Sequence, residues 1–261
     1  MKFRFLFIIF LLINSLYANA EITLDGTFGR SGALKGPNYS IGADLGQQVG
    51  GNLFHSFHDF NLNKYESATF SGPNSVTNIF SRVTGGNPSN IDGLIRSAVP
   101  ADMYFLNPYG FMFGPNARLD VQGAFHASTA DYLRLGEGGR FDARQPHNSI
   151  LTVAPVEAFG FLNSQVAPIS IKGHGEVTKN GEKQPTGLNV REGKTLSLIG
   201  GQIDIRAGTF SAPYGRINLA SIASQGEVKL GEGLDVSSFS QLADIHIKEN
   251  ALLQTSGEKL K

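Results

Sequence analysis

The sequence predicts an all-β chain wound as a parallel β-helix, and three observations carry that prediction. Gly accounts for 32 of the 261 residues and charged residues for only 17%, with no long run of Ala, Leu, Glu and Lys at helical spacing, so helix is the minority state. From Leu196 onward the pattern reduces to apolar-x-apolar triplets: Leu196-Ser-Leu198, Ile203-Asp-Ile205, Ile217-Asn-Leu219, Val228-Lys-Leu230 and Ile245-His-Ile247. Each is expected to point two side chains inward and one polar residue outward. The chain also bends often: FLNPYGFMFGPNARLDV, from Phe105 to Val121, holds two proline turns and three apolar patches. A β-sandwich would use longer strands returned by hairpins, for which Asp25-Gly26, Asp92-Gly93 and Asn180-Gly181 are the candidates. Very short strands and tight corners instead suit a coil in which each turn buries its apolar side on the next.

The first twenty residues stand apart. Lys2 and Arg4 precede an unbroken apolar run from Phe5 to Ile13, and the segment closes on Ala18-Asn19-Ala20, the small-x-small pattern that a signal peptidase cleaves. The expectation is an export signal over 1–20 and a mature chain beginning at Glu21. A membrane anchor would need roughly 18 apolar residues, and this run is shorter. Removing the signal leaves 20 basic against 22 acidic residues, a net charge of about −2 that gives no reason to expect nucleic acid or an anionic membrane as partner. Cys is absent, which removes thiol catalysis and suits a chain that must stay unlinked during transport.

Glycines 42, 46, 50 and 51 lead into the run from Asn52 to Leu62. Leu53, His55, Phe57 and Asp59 fall on one strand face; Phe54, Ser56, His58 and Phe60 fall on the other. Neither face is cleanly apolar, so the aromatic residues argue for a strand better than the alternation does. His55 and His58, three apart, face opposite sides of an extended strand and do not share a metal ion.

The next candidate is a pair of corners. Asn107-Pro108-Tyr109-Gly110 satisfies a type I turn, with Pro fixing φ at the second position and Gly at the fourth, and Gly114-Pro115-Asn116-Ala117 is a second turn. No Gly-x-Ser-x-Gly elbow and no phosphate loop occurs. Asp120, Asp131, Asp142, Asp204 and Asp235 are scattered along the chain rather than clustered, as a carbohydrate-active β-helix enzyme would need. That enzyme and a β-sandwich surface adhesin are the alternative readings. No catalytic residue, metal or cofactor is expected.

Six segments then matter for their wording and order: Asn52-Leu-Phe-His-Ser-Phe57, Ile79-Phe-Ser-Arg-Val-Thr-Gly-Gly86, Asn87-Pro-Ser-Asn-Ile-Asp-Gly-Leu-Ile95, Phe105-Leu-Asn-Pro-Tyr-Gly-Phe111, Phe113-Gly-Pro-Asn-Ala-Arg-Leu-Asp120 and Phe125-His-Ala-Ser-Thr-Ala130. In that order they resemble the N-terminal secretion domain of filamentous-haemagglutinin-like exoproteins, the exported partners of bacterial two-partner secretion. The resemblance implies a right-handed parallel β-helix with an N-terminal cap and short extra-helical β elements, spanning 21–261 as the N-terminal part of a longer, adhesin-like exoprotein. It also implies export by the general machinery to the periplasm of a Gram-negative-type bacterium and then passage to the cell surface or medium. The implied partner is a cognate outer-membrane β-barrel transporter, with a host-surface receptor or glycan as a further partner. The recognition residues carried over are Asn52, Leu53, Phe54, His55, Ser56 and Phe57, with Asn107, Pro108, Tyr109, Gly110 and Phe111. The latter five stand where the family has Asn-Pro-Asn-Gly-Ile, so Tyr109 replaces an Asn. The family's Asn-Pro-Asn-Leu motif is not found here, which places the chain in the branch that lacks it.

Overall fold

A computed structural model describes residues 21–173, 176–179 and 182–257. The expected signal, with Ala18 and Ala20, lies outside the described residues, as do Asn180 and Gly181. Within them the chain is almost wholly β, with two short 3-10 turns at Ala43–Leu45 and Pro146–Asn148.

Three parallel faces form the coil. The first face stacks Asn52–Phe60, Asn78–Val83, Asp102–Leu106, Phe125–Ser128, Thr195–Gly200 and Arg216–Ser221 in sequence order. The second stacks Ser89–Ile91, Phe111–Phe113, Ile169–Lys172, Ile203–Arg206 and Ile245–Lys248. The third begins with Asn38–Ile41, Ser67–Phe70, Leu94–Ser97 and Arg118–Asp120, and a parallel set at Leu188–Asn189, Thr209–Ser211 and Leu252–Gln254 serves the later coils. Parallel ladders between successive coils exclude the β-sandwich, whose strands return antiparallel.

Period-two alternation sets the inner core. On the first face Leu53, Ile79, Met103, Phe125, Leu196 and Ile217 are in register, one per coil, and point inward. In the triplet at 245–247, on the last strand of the second face, Ile245 and Ile247 stay 39 and 49% exposed, contrary to expectation, whereas those at 196–198, 203–205 and 217–219 take the same inward role. Val228-Lys-Leu230 does not. It belongs to an antiparallel sheet outside the coil, made of Tyr132–Leu135, Gly139–Asp142, Val156–Phe161, Gly226–Leu230 and Leu234–Asp235. An apolar-x-apolar triplet needs only one buried face, and a sheet lying over the coil supplies that as well as the coil does.

That outer sheet creates a second core against the outward side of the first face. Phe54, Phe80, Tyr104 and His126, in register on successive coils, stack with ring centroids 4.8, 5.1 and 4.6 Å apart. Phe141 packs on Phe54 at 5.1 Å, and Phe159 lies against Tyr104 and His126 at 6.4 and 6.3 Å. Aromatic pairs at such offsets contribute about 0.5–1.5 kcal/mol beyond their burial.

The N-terminal end is closed by a cap. Ile22–Asp25 runs antiparallel to Asn52–Phe60 and to Ser31–Ala33, so Asp25-Gly26, with Gly26 at φ +86, opens a hairpin as expected. Asp92-Gly93 does not open one; it is a corner between the second and third faces, where Asp92 accepts hydrogen bonds from the backbone N–H and side chain of Asn116. Glu176–Lys179 and Glu182–Pro185 form an antiparallel pair flanking 180–181.

Candidate functional site

The opening stretch of corners resolves into two thirds of one coil. Phe105 and Leu106 end a first-face strand, 107–110 turn the corner, Phe111–Phe113 form the second face, 114–117 turn again and Arg118–Asp120 begin the third. Gly110 N–H donates to the Asn107 carbonyl at 3.1 Å, and Ala117 N–H to the Gly114 carbonyl at 3.1 Å. Both expected turns are therefore corners.

Asn107 does more than turn the chain. Its Nδ2 donates to the Asn87 carbonyl and to Ser89 Oγ, each at 3.0 Å, while its Oδ1 accepts from Tyr109 N–H at 3.0 Å. The side chain is wholly buried and stitches this corner to the Asn87-Pro88 corner of the coil before. Gly110 sits at φ +118, and a Cβ there would meet the Pro168 carbonyl of the coil after at 3.1 Å. Pro108 and Phe111 are buried as well. Tyr109 is half-buried: its ring carries the Arg144 guanidinium 4.8 Å from the centroid. Asp131 holds that arginine at 2.8 Å, so the residue that departs from the family motif joins the corner to the outer sheet.

The other segment, Asn52–Phe57, is buried on both sides because the strand is sandwiched between the two cores. Leu53 and Phe57 face the coil interior, and Phe54 starts the outer aromatic column. Asn52 Nδ2 donates to the carbonyls of Thr152 and Ala154 at 2.9 and 3.0 Å. Ser56 Oγ donates to Asp25 in the cap at 2.6 Å and accepts from Arg82 Nε at 2.7 Å. Arg82, fully buried, donates onward to the Asp142 carbonyl and Ser149 Oγ and lies 4.6 Å from the Phe141 centroid. Burial lowers its pKa to about 10, which leaves it charged at neutral pH. Cap, coil and outer sheet thus meet at Ser56, a position the resemblance named, and at Arg82, to which it gave no role.

The alternation expected along this strand breaks near its end. Leu24 pairs with Phe57 and Thr23 with Asp59, so a bulge at His58 turns Phe60 into the coil interior beside Phe57 instead of onto the Phe54 side. His55 is interior, with Nε2 donating to the Gly42 carbonyl at 3.1 Å, and its pKa is lowered to about 4 by burial. His58 is exposed and pairs with Asp59 at 2.7 Å. The two histidines do not converge.

The carboxylates do not converge either. Asp131 and Asp142 are buried and paired with Arg144 and Arg140, Asp120 pairs with Arg96, and Asp204 with Arg206. Among the described residues no group of three or more His, Cys, Asp or Glu is placed to hold a metal ion. The arrangement does not favour the carbohydrate-active alternative.

With the geometry in hand, the chain can be set against known proteins. Over 192 residues it is 24% identical to the heme/hemopexin-binding protein of Haemophilus influenzae, an overlap that takes in 67% of this chain and 19% of that protein. The chain thus matches about a fifth of the length of this curated relative. The family model of the TPS secretion domain matches residues 20–259. A capped β-helix with an outer sheet, matched across nearly its whole length, belongs to the TPS secretion domain family of two-partner secretion exoproteins.

Proposed function

We propose that this domain directs its exoprotein through a cognate outer-membrane β-barrel transporter, and that the transporter reads residues 52–57 and 107–111 before they fold. The observation that carries this reading is burial. Asn52, His55, Ser56 and Asn107 are 1, 0, 3 and 0% exposed, so a partner reaching their side chains must meet them in a chain that has not yet coiled. The same burial supplies a direction. Once the segments coil, their side chains are withdrawn into two cores and a stitched corner, and the recognition surface ceases to exist. Folding of a domain releases on the order of 5–15 kcal/mol, enough to make withdrawal from the transporter effectively one-way.

In this account the signal over 1–20 delivers the chain to the periplasm through the general export machinery, cleavage after Ala20 leaves Glu21 first, and the coil forms outside the cell. The domain performs no catalysis. A receptor or glycan contact, or a ligand like that in the relative's name, belongs to the longer exoprotein and is a separate property.

The test is secretion from cells with and without the transporter, using the parent and an Asn107→Ala, Pro108→Ala double variant whose purified form is checked for a thermal midpoint. The parent should be released only with the transporter, and the double variant should fold yet stay behind. Release without the transporter would end the functional reading; parent-like release of the folded double variant would remove the corner from the recognition step.

A further inference from the structure

The outer sheet is assembled from two excursions that leave the coil at the same corner, between the first and second faces. Residues 129–168 supply Tyr132–Leu135, Gly139–Asp142 and Val156–Phe161; residues 222–244 supply Gly226–Leu230 and Leu234–Asp235. Their strands join through the antiparallel ladder of Val156–Phe161 with Gly226–Leu230, with Phe159 opposite Val228. Glu227 adds side-chain ties, accepting from Tyr132 Oη at 3.0 Å and from Arg134 Nε at 3.1 Å.

The necks of the two excursions rest on one another. Thr129 Oγ1 donates to the Ala167 carbonyl at 2.9 Å and closes the first neck. Ser221 Oγ donates to the carbonyls of Gly201 and Asp244, at 2.8 and 3.0 Å, and closes the second. Gly201 N–H in turn donates to Thr129 Oγ1 at 3.3 Å. The second excursion can therefore reach back over Val156–Phe161 only after the coil containing Thr195–Gly200 has stacked between the two necks. Until then the pairing must close a loop that runs through two unstacked coils, which is entropically unfavourable.

Packing around the second excursion is thin on both flanks. A cleft of ≈ 450 Å³, lined by Tyr132, Phe161, Leu162, Gln225, Glu227 and Ser238 among others, lies on one side. Another of ≈ 200 Å³, lined by Leu219, Leu234, Val236, Leu242 and Ile245 among others, lies on the other. Ile222 and Val228 are buried in the second core, but residues 231–244 are mostly exposed, and open flanks of this kind mark an element of lower local stability than the coil.

We propose that residues 222–244 are a clasp, the last part of the domain to close and the first to open, whose opening uncovers Val156–Phe161 as an unpaired edge while the coil stays stacked. An apolar edge strand is a template for a strand from another chain, so the clasp guards the domain against such pairing. The inference concerns the folded chain and does not depend on the transporter reading.

Because the chain has no Cys, an Ala158→Cys, Lys229→Cys pair, directly opposite in the ladder, gives one defined bond across the clasp. Hydrogen exchange of the purified chain is the readout. With the thiols reduced, amides in Val156–Phe161 and Gly226–Leu230 should exchange about tenfold or more faster than those in Asn78–Val83, and oxidation should slow them by a similar factor without changing the first face. Glu227→Ala, which leaves the ladder intact, should speed exchange in the outer sheet alone. Equal rates in the outer sheet and the first face, no change on forming the bond, or uniform acceleration by Glu227→Ala would each overturn the clasp.

Discussion

The strand Asn52–Phe57 and the corner Asn107–Phe111 are both buried, yet by different means. The strand is buried by apolar packing on two sides, with Leu53 and Phe57 in the coil and Phe54 under the outer sheet. The corner is buried by hydrogen bonds, with Asn107 tied to the coil before and Tyr109 to Arg144 of the outer sheet. The difference teaches where recognition and stability can be separated. Changing Leu53, Phe54 or Phe57 removes core, whereas changing Asn107 or Tyr109 removes a few polar contacts and leaves both cores standing.

The largest effect should come from the strand. Phe54→Ala leaves a cavity between Phe80 and Phe141 and should cost about 3–5 kcal/mol, read as a fall in the urea midpoint. A loss no greater than that of Asn107→Ala would erase the contrast between the two regions.

Counted per buried group, acid should come next, and it too acts through the cores. Burial lowers the pKa of both His55 and His126 to about 4, so each is neutral in the fold at pH 7. Protonating His55 would place a second, unpaired N–H in the coil interior, since its Nδ1 has no partner. An unfolded imidazole titrates near 6.5, so stability should be level above that pH and fall as pH drops from about 6.5 to 4, by roughly 3 kcal/mol per histidine. Urea midpoints from pH 8 to 4 give the curve. His126→Phe, which extends the aromatic column, should remove about half of the slope; an unchanged slope would mean that His126 does not titrate in the fold.

The corner should respond less. Asn107→Ala leaves the Asn87 carbonyl and Ser89 Oγ short of a donor in a buried place, at a cost of about 1–3 kcal/mol. The smallest effect should follow Tyr109→Asn, which supplies the residue the family motif has. Losing a half-exposed cation–π contact with Arg144 should cost about 0.5–1 kcal/mol, measured as the coupling in a double-mutant cycle with Arg144→Ala. A coupling near zero would show that the ring merely lies beside the guanidinium.

How much of this was legible beforehand differs between coil and outer sheet. The coil announced itself, because Leu196-Ser-Leu198 and its successors alternate within a local window and Asn107-Pro108-Tyr109-Gly110 specifies a turn by its own backbone chemistry. The outer sheet did not. Val228-Lys-Leu230 has the same local signature as a coil strand, and its pairing with Val156–Phe161 is a long-range fact that no window of residues contains. Burying Asn52–Phe60 on both sides blurred its alternation, and the bulge at His58 changed the face of Phe60. At the site, the motif positions could be named from their wording, but not their burial: Asn-Pro-Tyr-Gly reads as a surface turn, and Asn87, Ser89 and Arg144, which enclose it, come from other coils and the outer sheet.

The central claim is that recognition reads a chain that has not folded, and its most direct measurement is binding of the domain to the purified periplasmic part of the transporter across a urea series, with the unfolded fraction followed by circular dichroism. Binding should track the unfolded fraction. In the absence of urea, Phe141→Ala, which loosens the second core outside both recognised segments, should bind more tightly than the parent by the ratio of their unfolded populations. Binding that is strongest for the folded parent and falls as the coil melts would contradict the account and move recognition to the exposed surface of the β-helix.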